Sequence, residues 1–277
     1  MSIELGQLGV WRPHTDVSTD AARELEGLGY GAIWLGGSPP GDLVVAEELL
    51  AATSRIVVAT GIVNIWKDDA ATVARSYQRI TARFPDRFLL GVGVGHPEAT
   101  AEYRRPYTTL VDYLDALDDA GVPMQDRAVA ALGTKVLALA RDRSLGAHPY
   151  LTTPEHTAHA REILGPGVLL APEQKVVLDD NPARARAIGR PRVANPYLKL
   201  SNYQNNLRRL GFDDADFAGD GSDRLIDALV AHGDVSAVAA GVRAHLDAGA
   251  DHVTVQALAA PGTDPLPAYR ELATAMG

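Results

Sequence analysis

The chain has no cysteine in its 277 residues. Disulfides, thiolate metal sites and thiol nucleophiles are therefore excluded, and a reducing compartment suits it. Positive charge is the minority sign, with 26 Lys+Arg against 35 Asp+Glu and a net charge of −9. The basic residues do not cluster, which argues against nucleic acid or an anionic membrane surface as a partner. No run of 18 uncharged apolar residues occurs, so no membrane-spanning helix is expected. The start, Met1-Ser2-Ile3-Glu4-Leu5-Gly6, lacks a basic segment followed by an apolar one, so no signal peptide is expected. These exclusions leave a soluble, acidic, cytoplasmic protein acting on a small molecule as the expectation.

The most informative stretch present is Arg87-Phe88-Leu89-Leu90-Gly91-Val92-Gly93-Val94-Gly95. A continuous apolar run that flows into alternate glycines predicts a strand buried on both faces, ending in bare backbone. Strands of that kind build parallel sheets, whose ligands lie at the carboxyl ends. The Gly-x-Gly-x-x-Gly spacing of dinucleotide sites is absent, so the stretch marks a site without naming its ligand.

Further strands are expected at Glu4–Val10, Ala32–Leu35, Ile56–Gly61, Phe88–Val94 and Ala128–Leu132. Weaker ones follow at Ala147–Leu151, Gly167–Leu170 running on towards Val176–Leu178, and His252–Ala257. Helical patterns alternate with them at Ser18–Leu28, Asp42–Ala52, Ala70–Arg83 and Tyr107–Ala120, then Thr134–Ser144, Thr153–Leu164, Asp223–Ala231 and Ser236–Ala248. About eight such βα units favour a single (β/α)8 barrel domain over residues 1–277 rather than a doubly wound sheet. Gly29 and Gly249 fit left-handed positions closing helices, and Thr153-Pro154-Glu155 fits a helix start. The segment 191–221 breaks the rhythm with Pro196 and several asparagines. It is read as a helical insertion near the barrel mouth, serving as a lid or a contact in a homodimer.

Three stretches together resemble the bacterial luciferase-like superfamily: Gly29-Tyr30-Gly31-Ala32-Ile33-Trp34-Leu35, Ala59-Thr60-Gly61-Ile62-Val63-Asn64-Ile65-Trp66 and Arg87-Phe88-Leu89-Leu90-Gly91-Val92-Gly93. That superfamily holds flavin monooxygenases and oxidoreductases that use the deazaflavin coenzyme F420. Gly146–His156 and Leu169–Gln174 are similar to segments of its actinobacterial deazaflavin branch. The resemblance implies a (β/α)8 barrel, a ring lying across the strand ends, and hydride transfer between F420 and an organic substrate. An FMN-dependent monooxygenase on the same barrel is the alternative, and a barrel that binds a flavin-type ligand without catalysis is a third reading.

The resemblance also assigns roles. Thr60, Gly61, Ile62 and Asn64 would form a bulged ring bed, often with a non-prolyl cis peptide, and Gly61 would permit close ring approach. Gly133, Thr134 and Lys135 open a helix after a strand; free N–H groups, a hydroxyl and a cation there suit a phosphate, although the same turn serves as an ordinary helix entry. His148, Tyr150 and Thr153 crowd a strand-to-helix junction with Thr152, His156 and His159. The cofactor's side chain or phosphate lying over this loop is preferred to a purely structural loop. No metal is expected, since the His-Glu-x-x-His order is missing. His96 follows the glycine strand where deazaflavin relatives often place a glutamate, and is the candidate proton donor or acceptor. Gly37-Ser38 stands where many relatives carry Asp-His, a departure that puts alcohol or sugar-phosphate dehydrogenation in doubt. Ser38, Trp66 and Tyr197 are candidates for the substrate side, with Asn195, Asn202 and Tyr203 as further lining. Trp11 is either a pocket wall or rim packing, and Trp34 belongs to the core.

Overall fold

Strand pairing runs parallel throughout the sheet of this computed structural model, which describes residues 3–95 and 105–277. The strands are β1 (Leu8–Pro13), β2 (Ala32–Gly36), β3 (Val57–Thr60), β4 (Val63–Asn64), β5 (Phe88–Gly93) and β6 (Arg127–Val129). They continue with β7 (Gly146–Ala147), β8 (Leu169–Leu170), β9 (Glu173–Leu178), β10 (Val230–Gly233) and β11 (Val253–Ala257). Their order is β10-β9-β11-β1-β2-β3-β5-β6-β7-β8, with β4 beside β5. β8 and β9 are one stretch bent at Ala171-Pro172, where proline lacks the donor a continuous ladder needs. The bend joins the two edges. Ala171 and Glu173 donate to Ala147 and Pro149 carbonyls at 2.9 Å, while the Pro172 carbonyl accepts from Thr254 at 2.9 Å. The result is a (β/α)8 barrel.

Both strand faces are apolar because both are covered. Val10, Ile33, Leu35, Val58, Leu90, Val92 and Val129 pack outward against the helices. The intervening residues form a separate inner cluster of Ala32, Trp34, Val57, Ala59, Leu89, Ala128 and Ala171. Small alanines leave room for Trp34, which is fully buried as expected. It donates to His252 Nε2 at 3.1 Å and stacks on His148 at 4.2 Å between ring centres.

The outer helices are α1 (Thr19–Gly27), α2 (Val44–Ala52), α3 (Ala70–Arg83), α4 (Pro106–Asp119), α5 (Thr134–Arg143) and α6 (Pro154–Leu164). Gly29 and Gly249 take left-handed φ angles of 89° and 99° at helix ends, as their sequence context predicts. Between β9 and β10 lie α7 (Pro182–Ala194), α8 (Ser201–Arg209), α9 (Asp214–Phe217) and α10 (Asp223–Leu229). The chain ends with α11 (Val235–Asp247) and α12 (Leu266–Met276). The four helices from α7 to α10 form a cap with a core of its own, including Leu198, Leu207, Leu225 and Leu229.

Several expected boundaries shift. β1 starts at Leu8, because Gly6 turns with φ 64° and pairing begins only beyond it. The strand expected at Ala128–Leu132 opens at the buried Arg127 and stops at Val129, and the one expected at Ala147–Leu151 stops at Ala147. In both, the backbone leaves the ladder to line a cavity. The helix expected over Asp223–Ala231 ends at Leu229, and Val230 begins β10 as an added strand beside β9. The insertion is also longer than 191–221, since α7 starts at Pro182 and runs through Pro191.

Two polar clamps hold the amino end of the barrel, one on the buried Arg127 and one on the partly exposed Glu26. Arg127 donates to the Arg143 carbonyl at 3.0 Å and pairs with Asp118. One oxygen of Glu26 accepts from the amides of Ser54, Arg55 and Ile56 at 2.8, 2.6 and 2.9 Å.

Candidate active site

The opposite end of the barrel opens into a cavity of about 580 Å³, a size that suits a small organic ligand. Its floor is the β3–β4 bulge. The Gly61–Ile62 peptide is cis there, and Gly61, Ile62 and Asn64 all line the space. Glycine spacing in β5 fits the floor to the strand beneath. A Cβ on Gly91 would lie 1.8 Å from the Thr60 carbonyl oxygen, and one on Gly93 would lie 3.0 Å from Ile62 Cγ1. Thr60 itself is fully buried under the floor: its hydroxyl donates to the Gly91 carbonyl at 2.7 Å and accepts from the Gly91 amide at 2.8 Å. Asn64 Oδ1 accepts from the Trp66 amide at 3.0 Å, and Trp66 Nε1 donates to the Val94 carbonyl at 2.8 Å. Trp66 thus ties two rim segments together rather than lining the cavity.

One edge is the start of α5. Gly133 lines the cavity and carries no side-chain cap, and a Cβ there would meet nothing within 4 Å. Thr134 and Lys135 are exposed and lie off the lining. The Lys135 ammonium sits 4.1 Å over the Tyr107 ring, and Tyr107 is itself a wall residue. Among the described residues, the cations that do line the cavity are Lys67 and Arg209. Sequence reasoning passed over both, because an arginine on an exposed helix face carries no local signal.

The loop after β7 supplies His148 and Tyr150. His148 is fully buried, and its Nδ1 lies 2.7 Å from the Ala171 carbonyl. A carbonyl only accepts, so Nδ1 carries the proton and Nε2 presents a lone pair. Burial pushes the His148 pKa down to about 4, against the opposing pull of the Ala171 hydrogen bond. Tyr150 donates to Gln256 Oε1 at 3.0 Å. The Lys175 ammonium lies 3.9 Å from the Tyr150 ring centre, and Glu173, 3.1 Å from that ammonium, also accepts the Leu151 amide at 3.1 Å. Burial raises the pKa of Tyr150 well above its ordinary value and that of Tyr197 to about 12, so both hydroxyls stay protonated. Thr153 is elsewhere: it caps α6 and lines a second cavity of about 340 Å³ beside Gln174 and Asp227.

The remaining wall combines the β2 exit with the cap. Ser38 lines the cavity at a left-handed φ of 56°, directly after Gly37 at 76°. Tyr197, Asn202, Tyr203, Asn205 and Arg209 face it from the cap, whereas Asn195 does not. For this wall, Tyr197, Asn202 and Tyr203 are expected from the sequence. His96 lies outside the described residues. Among the described residues, no group of three or more His, Asp or Glu side chains could hold a metal ion, and no helix is long and apolar enough to cross a membrane.

The architecture is a parallel (β/α)8 barrel with a bulged third strand and a cavity at its carboxyl rim. Residues 10–121 match the family model of the luciferase-like monooxygenases. No curated protein matches the sequence. Solved structures share the fold over nearly the full length. An F420-dependent secondary alcohol dehydrogenase, solved with an F420–acetone adduct, is 13% identical, with 99% of this chain and 100% of that one covered and a TM-score of 0.76. The coenzyme F420-dependent tetrahydromethanopterin reductase from Methanopyrus kandleri is 16% identical over 98% of both chains, with a TM-score of 0.71. The FMN-bound oxygenating constituent of 3,6-diketocamphane monooxygenase from Pseudomonas putida is 14% identical, covering 97% and 96%, with a TM-score of 0.67.

Proposed function

We propose that this chain is a coenzyme F420-dependent oxidoreductase that transfers a hydride between the deazaflavin and a small organic substrate. One observation carries the reading: an apolar cavity at the carboxyl rim has a glycine-rich bulge as its floor and an uncapped helix start, Gly133, at its edge. These residues fit a flat ring with a phosphate-bearing chain. Gly61 and Ile62 would back the ring, and the first amides of α5 with Arg209 would hold the phosphate. The coenzyme supplies the hydride chemistry; the protein supplies orientation and exclusion of water. Ser38 and Tyr197 would face the substrate, and His96 is the proposed proton carrier. The cap helices are the proposed contact with a second copy of the chain.

FMN-dependent oxygenation is the second reading, favoured by the FMN-bound neighbour on the same fold. Titration of the purified protein with F420 and with FMN, followed by fluorescence, separates the two. Tighter F420 binding, and a reduced complex inert to oxygen, are the expected results. Preferential FMN binding with rapid oxygen consumption would replace this reading by the second.

A further inference from the structure

Two buried polar atoms in the cavity wall have no hydrogen-bond partner, Trp11 Nε1 and His148 Nε2. They look into the same space. The position that a Cβ would occupy on Gly61 lies 3.0 Å from Trp11 Nε1 and 3.1 Å from His148 Nε2. Trp11 is 6% exposed and His148 1%, so neither atom is left to bulk water. Both rings are fixed. Trp11 lies flat on Gly36, where an added Cβ would fall 1.8 Å from its Cζ2 atom, and it packs on Tyr150 at 5.0 Å. His148 is held by the Ala171 carbonyl on one side and by the face of Trp34 on another.

The chemistry of the pair is complementary. The indole N–H only donates, and the Nε2 lone pair of neutral His148 only accepts. Leaving either unsatisfied when a ligand excludes water is costly. A carboxylate or phosphate would face the lone pair with another lone pair. An ammonium cannot accept from Trp11. A ketone or ether satisfies Trp11 and strands His148. A hydroxyl oxygen satisfies both, by accepting from the indole and donating to the imidazole.

We propose that Trp11 and His148 form a hydroxyl-reading site on the cavity wall, selecting alcohols over the matching ketones and ethers. The inference rests on the proposed function in taking this cavity as the substrate site, with the hydroxyl held at the edge of a ring backed by Gly61 and Ile62.

The test uses the purified full chain, with and without bound F420, labelled with ¹⁵N at histidine and tryptophan. Cyclohexanol and cyclohexanone are the probes, with methoxycyclohexane as the ether. Cyclohexanol should bind about ten-fold or more tightly than either, the scale of a buried polar group left unpaired. It should shift both the Trp11 indole and His148 Nε2 resonances. Trp11→Phe should erase the preference while F420 affinity stays within about three-fold. His148→Phe should erase it too, and His148→Gln, whose amide oxygen accepts, should restore part. The comparison in the unaltered protein needs no variant to fold, and without F420 it does not depend on cofactor choice. Equal binding of alcohol and ketone, or binding of neither, overturns the proposal. So does a Trp11→Phe protein that keeps the alcohol preference but loses F420 affinity, which would give the pair to the imide edge of the ring.

Discussion

Glu173 and Lys175, two positions apart on β9, form a salt bridge of 3.1 Å in which neither side chain has any solvent exposure. Alternate residues of a strand share a face, and here that face also holds Tyr150 under the ammonium and the Leu151 amide on the carboxylate. Burial drives Glu173 up and Lys175 down from their ordinary pKa values, and each charge opposes the shift of the other. Leu151 has a left-handed φ of 55°, a conformation that leucine rarely adopts and that the Glu173 contact helps to hold. Glu173→Gln or Lys175→Met alone should cost about 3–5 kcal/mol, because each strands a buried charge. The double variant should cost clearly less than the two together. Urea denaturation of the four proteins is the measurement, and additive losses would refute a coupled pair.

Acid sensitivity should begin near neutrality. His148, His156, His245 and His252 are all pushed down to about 4, with burial as the largest cause. A base whose folded pKa is lowered binds its proton more readily when unfolded. Its stability contribution is therefore complete above about 6.5 and is lost as pH falls towards about 4. Each histidine adds up to about 1.4 kcal/mol per pH unit within that window. Denaturation followed from about pH 7 to 5 should show a loss of several kcal/mol, before ordinary carboxylates titrate. A flat profile over that range would contradict the burial of these neutral rings.

Glu26 gives the opposite kind of titration. Burial raises its pKa, but three backbone amides and Arg87 outweigh that and hold the carboxyl below the usual value of 4.5. Its contribution is present above about pH 4.5 and fades as pH falls through the lowered folded value. Glu26→Gln should cost about 1–2 kcal/mol at neutral pH. The variant and the unaltered protein should converge in stability as the medium becomes more acidic. A gap that persists in acid would mean that the loss is one of packing rather than charge.

The proposed phosphate corner can be tested without disturbing the barrel. Gly133 has ordinary φ and open space where a Cβ would go, so Gly133→Ala should leave the melting temperature nearly unchanged. The new methyl group would crowd the free amides. FMN affinity should then fall about ten-fold while riboflavin, which lacks the phosphate, is little affected. Arg209→Gln should show the same selectivity, with a weaker dependence on salt. Lys135→Ala should change little, because that ammonium rests on Tyr107. Equal losses for both ligands in the first two variants would move the phosphate elsewhere.

Strand positions were legible because covered parallel strands are written as continuous apolar runs, and Phe88–Gly93 is one of these. The bulge at Gly61-Ile62 was legible only as a likeness to other chains; nothing in Thr60-Gly61-Ile62 on its own predicts the cis bond. What escaped notice depends on pairing between distant segments. Trp11 and His148 lie 137 positions apart, and only the strand register brings their nitrogens to one glycine. The stretch Glu173-Gln174-Lys175 did carry a signal, since opposite charges two apart in a strand must share a face, but burial of that face is a property of the closed barrel. β10 was read as helix because Leu229-Val230-Ala231 continues the helical spacing, and only the open edge of β9 ends it.

The cap's separate apolar cluster gives the molecule two clocks of change. Tyr197, Asn202, Tyr203, Asn205 and Arg209 reach the cavity from helices whose packing centres on Leu198, Leu207 and Leu225, not on the barrel interior. The bulge is bound by close-set glycines: a Cβ on Gly91 would strike the Thr60 carbonyl, and one on Gly61 or Gly93 would crowd neighbouring side chains. Descendants of this chain are thus free to rewrite what enters the cavity while inheriting, nearly unaltered, the surface on which a ring would rest.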